Sequence, residues 1–356
     1  MFKIEVFEMA FYSYNELRSH QGLFNFVLSN RGGGKTFGAK VLGIKSYIKS
    51  KKKTGQGEQF AYVRRYDSEF ETKDQFFDDI IANGMFEDYE FIVKGYKGYI
   101  REKVEEGEEE NEWEILCFFI PLSVSQRYKS TPYPNVTKIF FDEFIIDKGN
   151  IRYVRNEVVV FLELFETIDR KRDKTDAFFL ANTVSLVNPY FSYFKIYPNP
   201  NKRFTKSKDG LVVVEMFTDD EFVQEKLKTR FGRLIQGTEY GDYAINNQSL
   251  RDNTYFIQKR PSEQMRFLCS YIIEGKEIGV WECDALAMFY VDEKVDKSSK
   301  QRYSVTDADH MPDIKSIQLA KMSAGQAKLK LALQRNLVFF SSLEVQDLTK
   351  NVFKYI

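Results

Sequence analysis

The sequence predicts an α/β protein with two domains: a larger N-terminal domain built on a mainly parallel sheet and a smaller C-terminal α+β domain. Short apolar runs alternate with helical patterns up to about residue 195, which is typical of a parallel sheet with helices on both faces. A glycine-rich turn joins the first apolar run to the first long helical pattern. The last third instead has paired strand patterns around a short turn, which indicates a separate, hairpin-led sheet.

Length and composition also favour two domains. A chain of 356 residues exceeds what one hydrophobic core usually serves, and its 43% hydrophobic content is enough to build cores. Residues 197–210 are rich in Pro, Asn, Gly and Lys and mark a boundary. We therefore expect one domain over residues 1–200, a linker or helical subdomain over 201–250, and a C-terminal domain over 251–356.

Charge and cysteine content exclude several classes of protein. The 52 Lys and Arg residues balance the 52 Asp and Glu residues, so the chain lacks a strongly basic balance, although local basic patches remain open. Three cysteines without paired spacing and only two histidines exclude a disulfide framework and a multi-histidine metal site. The N-terminus lacks a secretory pattern and no apolar run reaches about 18 residues. We expect a protein of a reducing cytoplasm with no membrane partner.

The first elements follow from apolar runs and turn residues. The first strand covers residues 24–28 and leads through the glycine-rich turn into a helix. A second strand, residues 59–64, follows at the distance of a right-handed crossover, so we expect it to pair in parallel with the first strand. An acidic segment over residues 102–114 separates two strand patterns and is interpreted as the solvated tip of a hairpin, with a functional acidic patch as the alternative.

The remaining elements are assigned in the same way. We expect, in chain order, a strand at 136–141, a helix at 153–169, a strand at 177–181 that ends at Asn182, and a helix at 219–236. In the C-terminal domain, we expect strands at 266–273, 277–282, 287–292 and 303–307 and one long helix at 314–335.

The glycine-rich turn fits a phosphate-binding loop. Residues 29–36 match the pattern G-x-x-x-x-G-K-[ST] at each defined position except the first, where Ser29 replaces glycine. Consecutive glycines let backbone N–H groups point at phosphate oxygens, and the following helix adds its positive N-terminal end. Lys35 would neutralise the terminal phosphates, and the Thr36 hydroxyl would bind Mg²⁺. The expected cofactor-binding residues are Ser29, Asn30, Arg31, Gly32, Gly33, Gly34, Lys35 and Thr36, with a turn that binds nothing as the alternative.

Two adjacent carboxylates follow a later apolar strand. Asp142 ends the strand and can hold Mg²⁺, while Glu143 can point toward the γ-phosphate and polarise an attacking water. Any apolar strand can end in acids, so this pair is weak by itself. The phosphate-binding loop about a hundred residues upstream makes it a strong signal for a metal and water site.

A basic cluster, residues 170–172, ends the helix after that strand. It is either an ordinary cationic last turn of a helix or the source of an arginine finger, Arg170 or Arg172, that reaches into a neighbouring subunit. Arg31, inside the loop, is a second candidate for this role within one subunit. Asn182, at the end of the next strand, is either an ordinary strand-end residue or a group that senses the γ-phosphate or orients the water.

These motifs together resemble a known family. The arginine-containing glycine-rich loop, the strand-end sequence DEF, the preceding SQRYKSTPYPNVTKIFF and a strand closing with Ala-Asn-Thr are similar to those of the large terminases and DNA-packaging ATPases of tailed phages. The length and the small C-terminal half look most like the packaging ATPases of small protein-primed podoviruses, the Picovirinae type. The motifs cover about the first 200 residues, and the remainder is similar only in length and strand order.

The resemblance implies a P-loop ATPase of the additional-strand catalytic-glutamate (ASCE) class that uses ATP and Mg²⁺ to translocate double-stranded viral DNA into a preformed capsid. It also implies a homo-oligomeric ring, taken as a pentamer, that works in the host cytoplasm and transiently at the capsid portal, with a packaging RNA as a further partner. The residues that carry these roles by resemblance are Lys35 and Thr36 in the loop, Asp142 and Glu143 at the metal and water, Arg170 or Arg172 as the finger acting in trans, and Asn182 in the coupling motif.

The C-terminal domain of large terminases is a nuclease of the ribonuclease H type, which needs clustered carboxylates to hold two metal ions. Here its first strand has Cys269 and Ser270 where an Asp is expected. Our hypothesis is a ribonuclease H-like domain that kept the fold and lost the nuclease site. Four other carboxylates remain available: Asp284, Asp292, Asp307 and Asp309. A full terminase with an active nuclease is therefore one alternative. A second alternative is a nucleotide-binding scaffold or switch that hydrolyses ATP slowly.

Contacts to DNA are expected to be with phosphates, because a translocating motor must not stop at particular sequences. The candidates for these contacts are Arg64, Arg65, Lys49, Lys51, Lys52, Lys53 and Lys129. Basic residues within 202–208 and 226–233 form alternative surfaces for RNA or for a subunit interface.

Overall fold

A computed structural model of the chain describes residues 12–30, 32–105, 109–146, 152–182, 186, 188–199, 202–217, 220–238, 241, 256–273, 275–317, 319–335 and 337–352. The chain divides into two compact units, Met1–Leu250 and Arg251–Ile356. No helix within the described part of the chain is long and apolar enough to cross a membrane.

The first unit alternates strands and helices. Its elements are α1 (Asn15–Ser19), β1 (Phe24–Ser29), α2 (Lys35–Thr54), β2 (Gln59–Arg64), α3 (Asp78–Ala82), β3 (Tyr89–Lys94), β4 (Lys97–Glu102), β5 (Glu114–Pro121), β6 (Val136–Asp142), α4 (Glu157–Asp169), β7 (Asp176–Asn182), α5 (Pro189–Phe194), β8 (Phe204–Lys206), β9 (Val212–Phe217), α6 (Asp220–Lys228) and α7 (Arg230–Ile235).

Among the described residues of this unit, nine strands form one sheet in the order β3-β4-β5-β2-β6-β7-β1-β9-β8. The six central strands, from β5 to β9, run parallel, and β3, β4 and β8 join antiparallel at the edges. The α/β class with a mainly parallel sheet is therefore confirmed. The expected pairing of β2 with β1 is wrong, because β6 and β7 lie between them.

The central strands are covered on both faces, which explains why they appear in the sequence as continuous apolar runs. All six residues of β1 are buried. Phenylalanine rings fill the space between the sheet and α4, where Phe141 stacks on Phe161 with 5.6 Å between ring centroids. Phe26 and Phe179 stack on neighbouring strands at 4.2 Å.

Three local expectations for the first unit are revised or refined. The acidic segment does join an antiparallel pair, β4 and β5, although residues 106–108 of its tip lie outside the described residues. The segment 219–236 is two helices rather than one, because Thr229 ends the first and caps the second by accepting a hydrogen bond from the Gly232 N–H at 2.8 Å. Strands β8 and β9 lie beyond residue 200 yet pair into the large sheet, so this part of 201–250 completes the first unit instead of linking two domains.

The second unit contains a mixed sheet flanked by two helices. Its elements are β10 (Arg266–Ile273), β11 (Lys276–Cys283), β12 (Met288–Asp292), β13 (Arg302–Ser304), β14 (Lys315–Ser316), α8 (Ala324–Gln334), β15 (Val338–Phe340) and α9 (Leu343–Val352). Within the residues described for this unit, six strands form one sheet in the order β14-β13-β10-β11-β12-β15. Strands β10 to β12 are an antiparallel meander, and β13 pairs in parallel with β10. This is an α+β unit led by a hairpin, as expected from the sequence, while its ribonuclease H-like character stays a prediction.

The long helix expected at 314–335 is wrong. Its first part pairs with β13 as the short strand β14, and the helix begins only after Ser323. Ser323 forms a capping box with Gln326: the serine hydroxyl accepts from the Gln326 N–H, and the glutamine side chain accepts from the Ser323 N–H. Strand β15 and helix α9 follow and were not expected from the sequence.

Candidate nucleotide-binding site

The glycine-rich loop connects β1 to α2 and takes conformations that favour glycine. Gly32 and Gly34 have φ angles of 91° and 74°, in the region that side chains with a Cβ rarely adopt. A Cβ on Gly33 would lie 2.9 Å from Oγ of Ser29, so a larger residue would crowd the turn. Arg31 lies outside the described residues. The loop therefore has the tight backbone that a phosphate-binding loop requires.

Lys35 points into this loop. Its ammonium donates hydrogen bonds to Oγ of Ser29 at 2.8 Å and to the Asn30 carbonyl at 3.1 Å. Ser29 stands where the pattern has glycine, and its hydroxyl oxygen contacts the Lys35 ammonium. Burial lowers the pKa of Lys35 to about 8, although the negative charges of Asp142 and Glu143 oppose the shift. A buried ammonium held mainly by neutral oxygens is well suited to receive an anionic ligand.

Asn182 reaches the same lysine from the neighbouring strand. Its Oδ1 accepts a hydrogen bond of 3.2 Å from Nζ of Lys35. Strand β7 lies between β1 and β6, and Asn182 pairs with Ser29 in the parallel register. Strand β7 therefore corresponds to the additional strand expected of the ASCE class, between the strand before the phosphate-binding loop and the strand that ends in Asp142. Its position beside β1 places Asn182 next to the loop.

Asp142 lies at the end of β6 and contacts the first turn of α2. Its Oδ2 accepts hydrogen bonds from the Thr36 hydroxyl at 2.9 Å and from the Tyr62 hydroxyl at 2.5 Å. Burial and the charge of Asp142 raise the pKa of Tyr62 well above its ordinary value, which keeps the phenol protonated as a donor. A carboxylate and a hydroxyl that meet beside a phosphate-binding loop are oxygen ligands of the type that Mg²⁺ prefers.

Glu143 follows Asp142 in a left-handed backbone conformation, with φ at 57°. Its side chain is 57% exposed and accepts a hydrogen bond of 2.7 Å from a terminal nitrogen of Arg64. Arg64 also pairs with Glu69 at 3.1 Å and lies 3.7 Å from Asp142. Burial acts to lower the pKa of Arg64, but these acids outweigh it and the pKa is raised. The arginine is therefore held among carboxylates.

This geometry revises the expected DNA contacts. Arg65 is only 2% exposed, and Arg64 is committed to the acidic residues of the site. Neither is available as a surface contact for DNA phosphates. The sequence did not identify Tyr62 and Arg64 as parts of the site, because their role depends on β2 lying beside β6, and no local pattern encodes that pairing.

Comparison with known proteins places the chain in a family. A family model for the Podovirus DNA encapsidation protein (Gp16) matches residues 7–356. The chain belongs to this family. The DNA packaging protein of Bacillus phage PZA is 38% identical over 344 residues, covering 97% of each chain. DNA encapsidation, the function expected from the sequence, is the function of the Gp16 family, and the expected resemblance to packaging ATPases of small podoviruses is confirmed.

Two solved structures are also similar to this Gp16 family member. One is described as the bacteriophage Phi-29 viral genome packaging motor assembly; it is 36% identical, with a TM-score of 0.71, and the match covers 97% of this chain and 99% of the other. The second is the N-terminal domain of the DNA packaging ATPase from bacteriophage phi29, 39% identical with a TM-score of 0.50, covering 58% of this chain and 96% of the other. The chain is thus homologous to a packaging ATPase.

The two arginines proposed as fingers lie at the far end of α4 in this Gp16 family member. Arg172 donates to the carbonyls of Asp169 at 2.9 Å, Ile168 at 2.6 Å and Val136 at 3.3 Å, and also to that of Pro134. Because Val136 begins β6, these contacts lie at the amino ends of the parallel strands, whereas the phosphate-binding loop lies at their carboxyl ends. Arg170 is exposed and makes longer contacts, of 3.3 to 3.5 Å, with main-chain carbonyls.

The second unit of this Gp16 family member has an ion pair between Glu277 on β11 and Arg302 on β13. The Ser270 hydroxyl donates to Glu277 at 2.6 Å, and Glu277 accepts two hydrogen bonds from Arg302, at 2.9 and 3.0 Å. The carboxylates noted in the sequence are dispersed: Asp292 pairs with Arg260, Asp309 accepts from Thr306 and the Gly275 N–H, and Asp284 is exposed. The side chain of Asp307 lies outside the described residues. No group of three His, Cys, Asp or Glu side chains suited to a metal ion occurs within the described part of the chain.

Proposed function

We propose that this chain is an ATP-driven motor that translocates double-stranded DNA into a preformed viral capsid. The observation that carries the proposal is the convergence of Lys35, Thr36, Asp142 and Glu143 at one edge of the sheet. This set contains a phosphate-binding loop, two oxygen ligands for a cation and a carboxylate next to them. The motor role extends the family's DNA encapsidation function to the chemistry that this site supports.

The residues fit ATP and Mg²⁺. Residues 29–36 would hold the phosphates through loop N–H groups and the Lys35 ammonium, and Thr36 with Asp142 would hold the cation. Bound Mg²⁺ supplies charge neutralisation for the terminal phosphates. Lys35 orients the terminal phosphate, and Asn182, which contacts Lys35, is suited to report its presence to β7.

Glu143 is the proposed general base. Its exposed carboxylate can accept a proton from a water that attacks the terminal phosphate. Glutamine at this position would keep the shape and lose the basicity. Glu143→Gln is therefore expected to bind ATP normally and to hydrolyse it at least about 100-fold more slowly.

Arg170 is the proposed arginine finger for a neighbouring subunit, and we prefer it to Arg172. Arg172 donates to four main-chain carbonyls of its own chain, whereas Arg170 is exposed and makes only contacts of 3.3 to 3.5 Å that a neighbouring subunit could replace. A finger supplied in trans requires a homo-oligomeric ring, for which we propose a pentamer at the capsid portal. We also propose a packaging RNA as a partner and the host cytoplasm as the site of assembly.

DNA contacts are proposed for exposed lysines of the first unit, Lys49, Lys52 and Lys53 at the end of α2 and Lys129, which is half exposed and pairs with Glu163. Such contacts would be with phosphates and would weaken as salt rises. The basic residues of 202–208 and of α6 and α7 remain the proposed surface for RNA or a subunit interface.

The C-terminal unit is proposed to have lost nuclease chemistry. The Glu277–Arg302 pair puts a guanidinium beside the first strand, where a nuclease of the ribonuclease H type would need a cation held by carboxylates. Purified protein should not cut plasmid DNA in the presence of Mg²⁺ or Mn²⁺. Cutting that Asp307→Ala or Asp292→Asn abolishes would instead support a full terminase.

Two measurements test the motor itself. DNA should raise steady-state ATP hydrolysis several-fold, whereas slow hydrolysis that ignores DNA would favour a nucleotide-dependent scaffold or switch. In a packaging assay with proheads, DNA and ATP, wild-type protein should protect DNA from nuclease and Lys35→Ala should not. Packaging by Lys35→Ala at the wild-type rate would refute the proposal.

A further inference from the structure

Arg65, the residue that follows β2, is buried and makes four hydrogen bonds. Its Nε and one terminal nitrogen donate to the two carboxylate oxygens of Glu157, at 2.7 and 3.0 Å. The terminal nitrogens also donate to the main-chain carbonyls of Glu143, at 3.1 Å, and Phe144, at 2.7 Å. One guanidinium thus joins the first residue of α4 to the turn that carries the proposed general base.

The partner carboxylate is held as firmly as the arginine. The side chain of Glu157 is 1% exposed. Its oxygens accept additional hydrogen bonds from the Val154 N–H at 2.8 Å and from the Tyr190 hydroxyl at 3.0 Å. Because a buried charge without its partner is strongly unfavourable, Arg65 and Glu157 stay together, and the guanidinium has a fixed position.

The turn at Glu143 needs such support. A non-glycine residue with φ near 57° persists only where its surroundings impose that conformation. The Glu143 N–H donates to Oδ1 of Asp142 at 3.0 Å, and the Phe144 N–H donates to the Leu180 carbonyl at 3.2 Å. With Arg65 on both carbonyls, each main-chain polar group of residues 143 and 144 has a partner.

We infer that Arg65 is the positioning residue of the catalytic carboxylate: it holds the backbone of Glu143 in the left-handed turn that presents the side chain to the nucleotide site. This inference rests on the proposed ATPase function. Arginine is required because its planar fork reaches a carboxylate with two donors and two carbonyls with the others. A lysine would keep the charge but lack the donors needed to hold the turn and Glu157 together.

The test compares Arg65→Lys with a matched control, Arg203→Lys. Arg203 donates twice to Glu215, at 2.8 and 3.0 Å, and Glu215 is also buried. This pair joins the residue before β8 to β9, and within the described residues neither side chain bonds to a side chain of the proposed site. In nucleotide-free protein, Arg65→Lys should speed amide hydrogen exchange in the peptide that spans residues 141–146, and Arg203→Lys should leave it unchanged. The exchange measurement reports the turn itself, independently of ATP hydrolysis.

Kinetics provide the second readout. Arg65→Lys should lower kcat by at least about tenfold while changing the Kd for a fluorescent ATP analogue less than threefold, because misplacing a catalytic group slows the reaction more than it weakens ligand binding. If Arg65→Lys does not fold, Glu157→Gln, which removes only the partner's charge, is expected to show the same pattern.

Three outcomes are decisive. Faster exchange at 141–146 with a lower kcat and an unchanged Kd supports the inference. Wild-type exchange and kcat in folded Arg65→Lys, or equal losses of kcat and ATP affinity in Arg65→Lys and Arg203→Lys, overturns it. Absence of ATP hydrolysis by wild-type protein, with no effect of Glu143→Gln, refutes the proposed function instead, and the exchange result then decides the structural role of Arg65 alone.

Discussion

The Thr36 hydroxyl donates a hydrogen bond of 2.9 Å to Oδ2 of Asp142. The two residues are 106 positions apart, at the start of α2 and at the end of β6. They meet because parallel strands bring their carboxyl ends to one edge of the sheet, where the loop helix also begins. This contact unites two motifs that are far apart in the sequence.

The Thr36–Asp142 contact leads to a prediction about Mg²⁺-dependent hydrolysis. Asp142→Asn should reduce ATP turnover by about 100-fold or more, because it removes the charged oxygen ligand of the cation. Thr36→Ala should also lose most activity, whereas Thr36→Ser, which keeps the hydroxyl, should stay within about threefold of wild type. Turnover measured against Mg²⁺ concentration checks this. Equal activity of the alanine and serine variants would show that the hydroxyl is not a ligand.

Arg64 leads to a prediction about stability. It is 18% exposed and is shared among the carboxylates of Glu69, Asp142 and Glu143. Arg64→Ala should lower the free energy of unfolding by about 3 kcal/mol, because it leaves these acids to repel one another. Added Mg²⁺ without nucleotide should restore part of the loss.

Urea unfolding of Arg64→Ala with and without Mg²⁺ measures both effects. The matched control is Arg101→Ala, which removes an arginine from ion pairs with Glu90 on β3 and Glu110 in the acidic segment. We expect a much smaller change from this control, because Glu90 and Glu110 are 38% and 72% exposed, whereas Glu69 and Asp142 beside Arg64 are each 9% exposed. Equal destabilisation of the two variants would contradict the idea that Arg64 balances the acids of the site.

The two arginines after α4 are expected to behave differently. Arg172→Ala should lower the free energy of unfolding by about 2 kcal/mol, because Arg172 bonds to four main-chain carbonyls of its own chain. Arg170→Ala should leave stability nearly unchanged but lower ATP turnover at least about 1,000-fold if it is the finger.

Mixing variants tests whether Arg170 acts in trans. A mixture of Arg170→Ala and Glu143→Gln proteins should recover part of the ATPase activity, since some interfaces then contain an intact Glu143 and an intact Arg170. The mixture of Arg172→Ala with Glu143→Gln serves as the control. No recovery with Arg170→Ala, at ratios that form mixed rings, would argue against the finger.

The second unit is predicted to lose stability in acid through Glu277. Burial acts to raise the pKa of Glu277, but hydrogen bonds from Arg302 and Ser270 outweigh it and lower the pKa below the ordinary value of 4.5. A carboxyl with a lowered folded-state pKa adds stability above its unfolded pKa, and this stability is lost as pH falls through the folded-state pKa. Stability of the second unit should therefore fall below about pH 4.5, with Glu277 contributing to the slope.

The measurement is the pH dependence of thermal unfolding of the full chain, followed by a probe in the second unit such as Trp281. Glu277→Gln should be less stable than wild type at pH 7 and should show a shallower decline between pH 5 and pH 3. The control, Glu293→Gln, changes an exposed glutamate of the same unit. An unchanged slope in Glu277→Gln would refute the prediction.

Elements buried on both faces were the most predictable from sequence. The expected strands at 59–64 and 266–273 agree with the bounds of β2 and β10, since continuous apolar runs with turn residues at their ends are local signals. The helix expected at 314–335 failed because residues 315 and 316 pair with β13, and this pairing depends on a strand elsewhere in the chain. The capping box at Ser323 is a local signal that would have located the start of α8.

The sequence by itself predicted the phosphate-binding loop and the Asp142–Glu143 pair at a strand end, because glycine spacing and apolar runs act on neighbouring residues. Its motifs also carried the resemblance to packaging ATPases, which the family model confirms. Only the tertiary structure decided that β6 and β7 separate β2 from β1, that Asn182 meets Lys35, that Arg64 pairs with acidic side chains and that Arg65 is buried. The physical reason is that strand order and side-chain pairing arise from contacts between distant segments. A buried arginine and an exposed one look the same in a sequence until the fold supplies their partners.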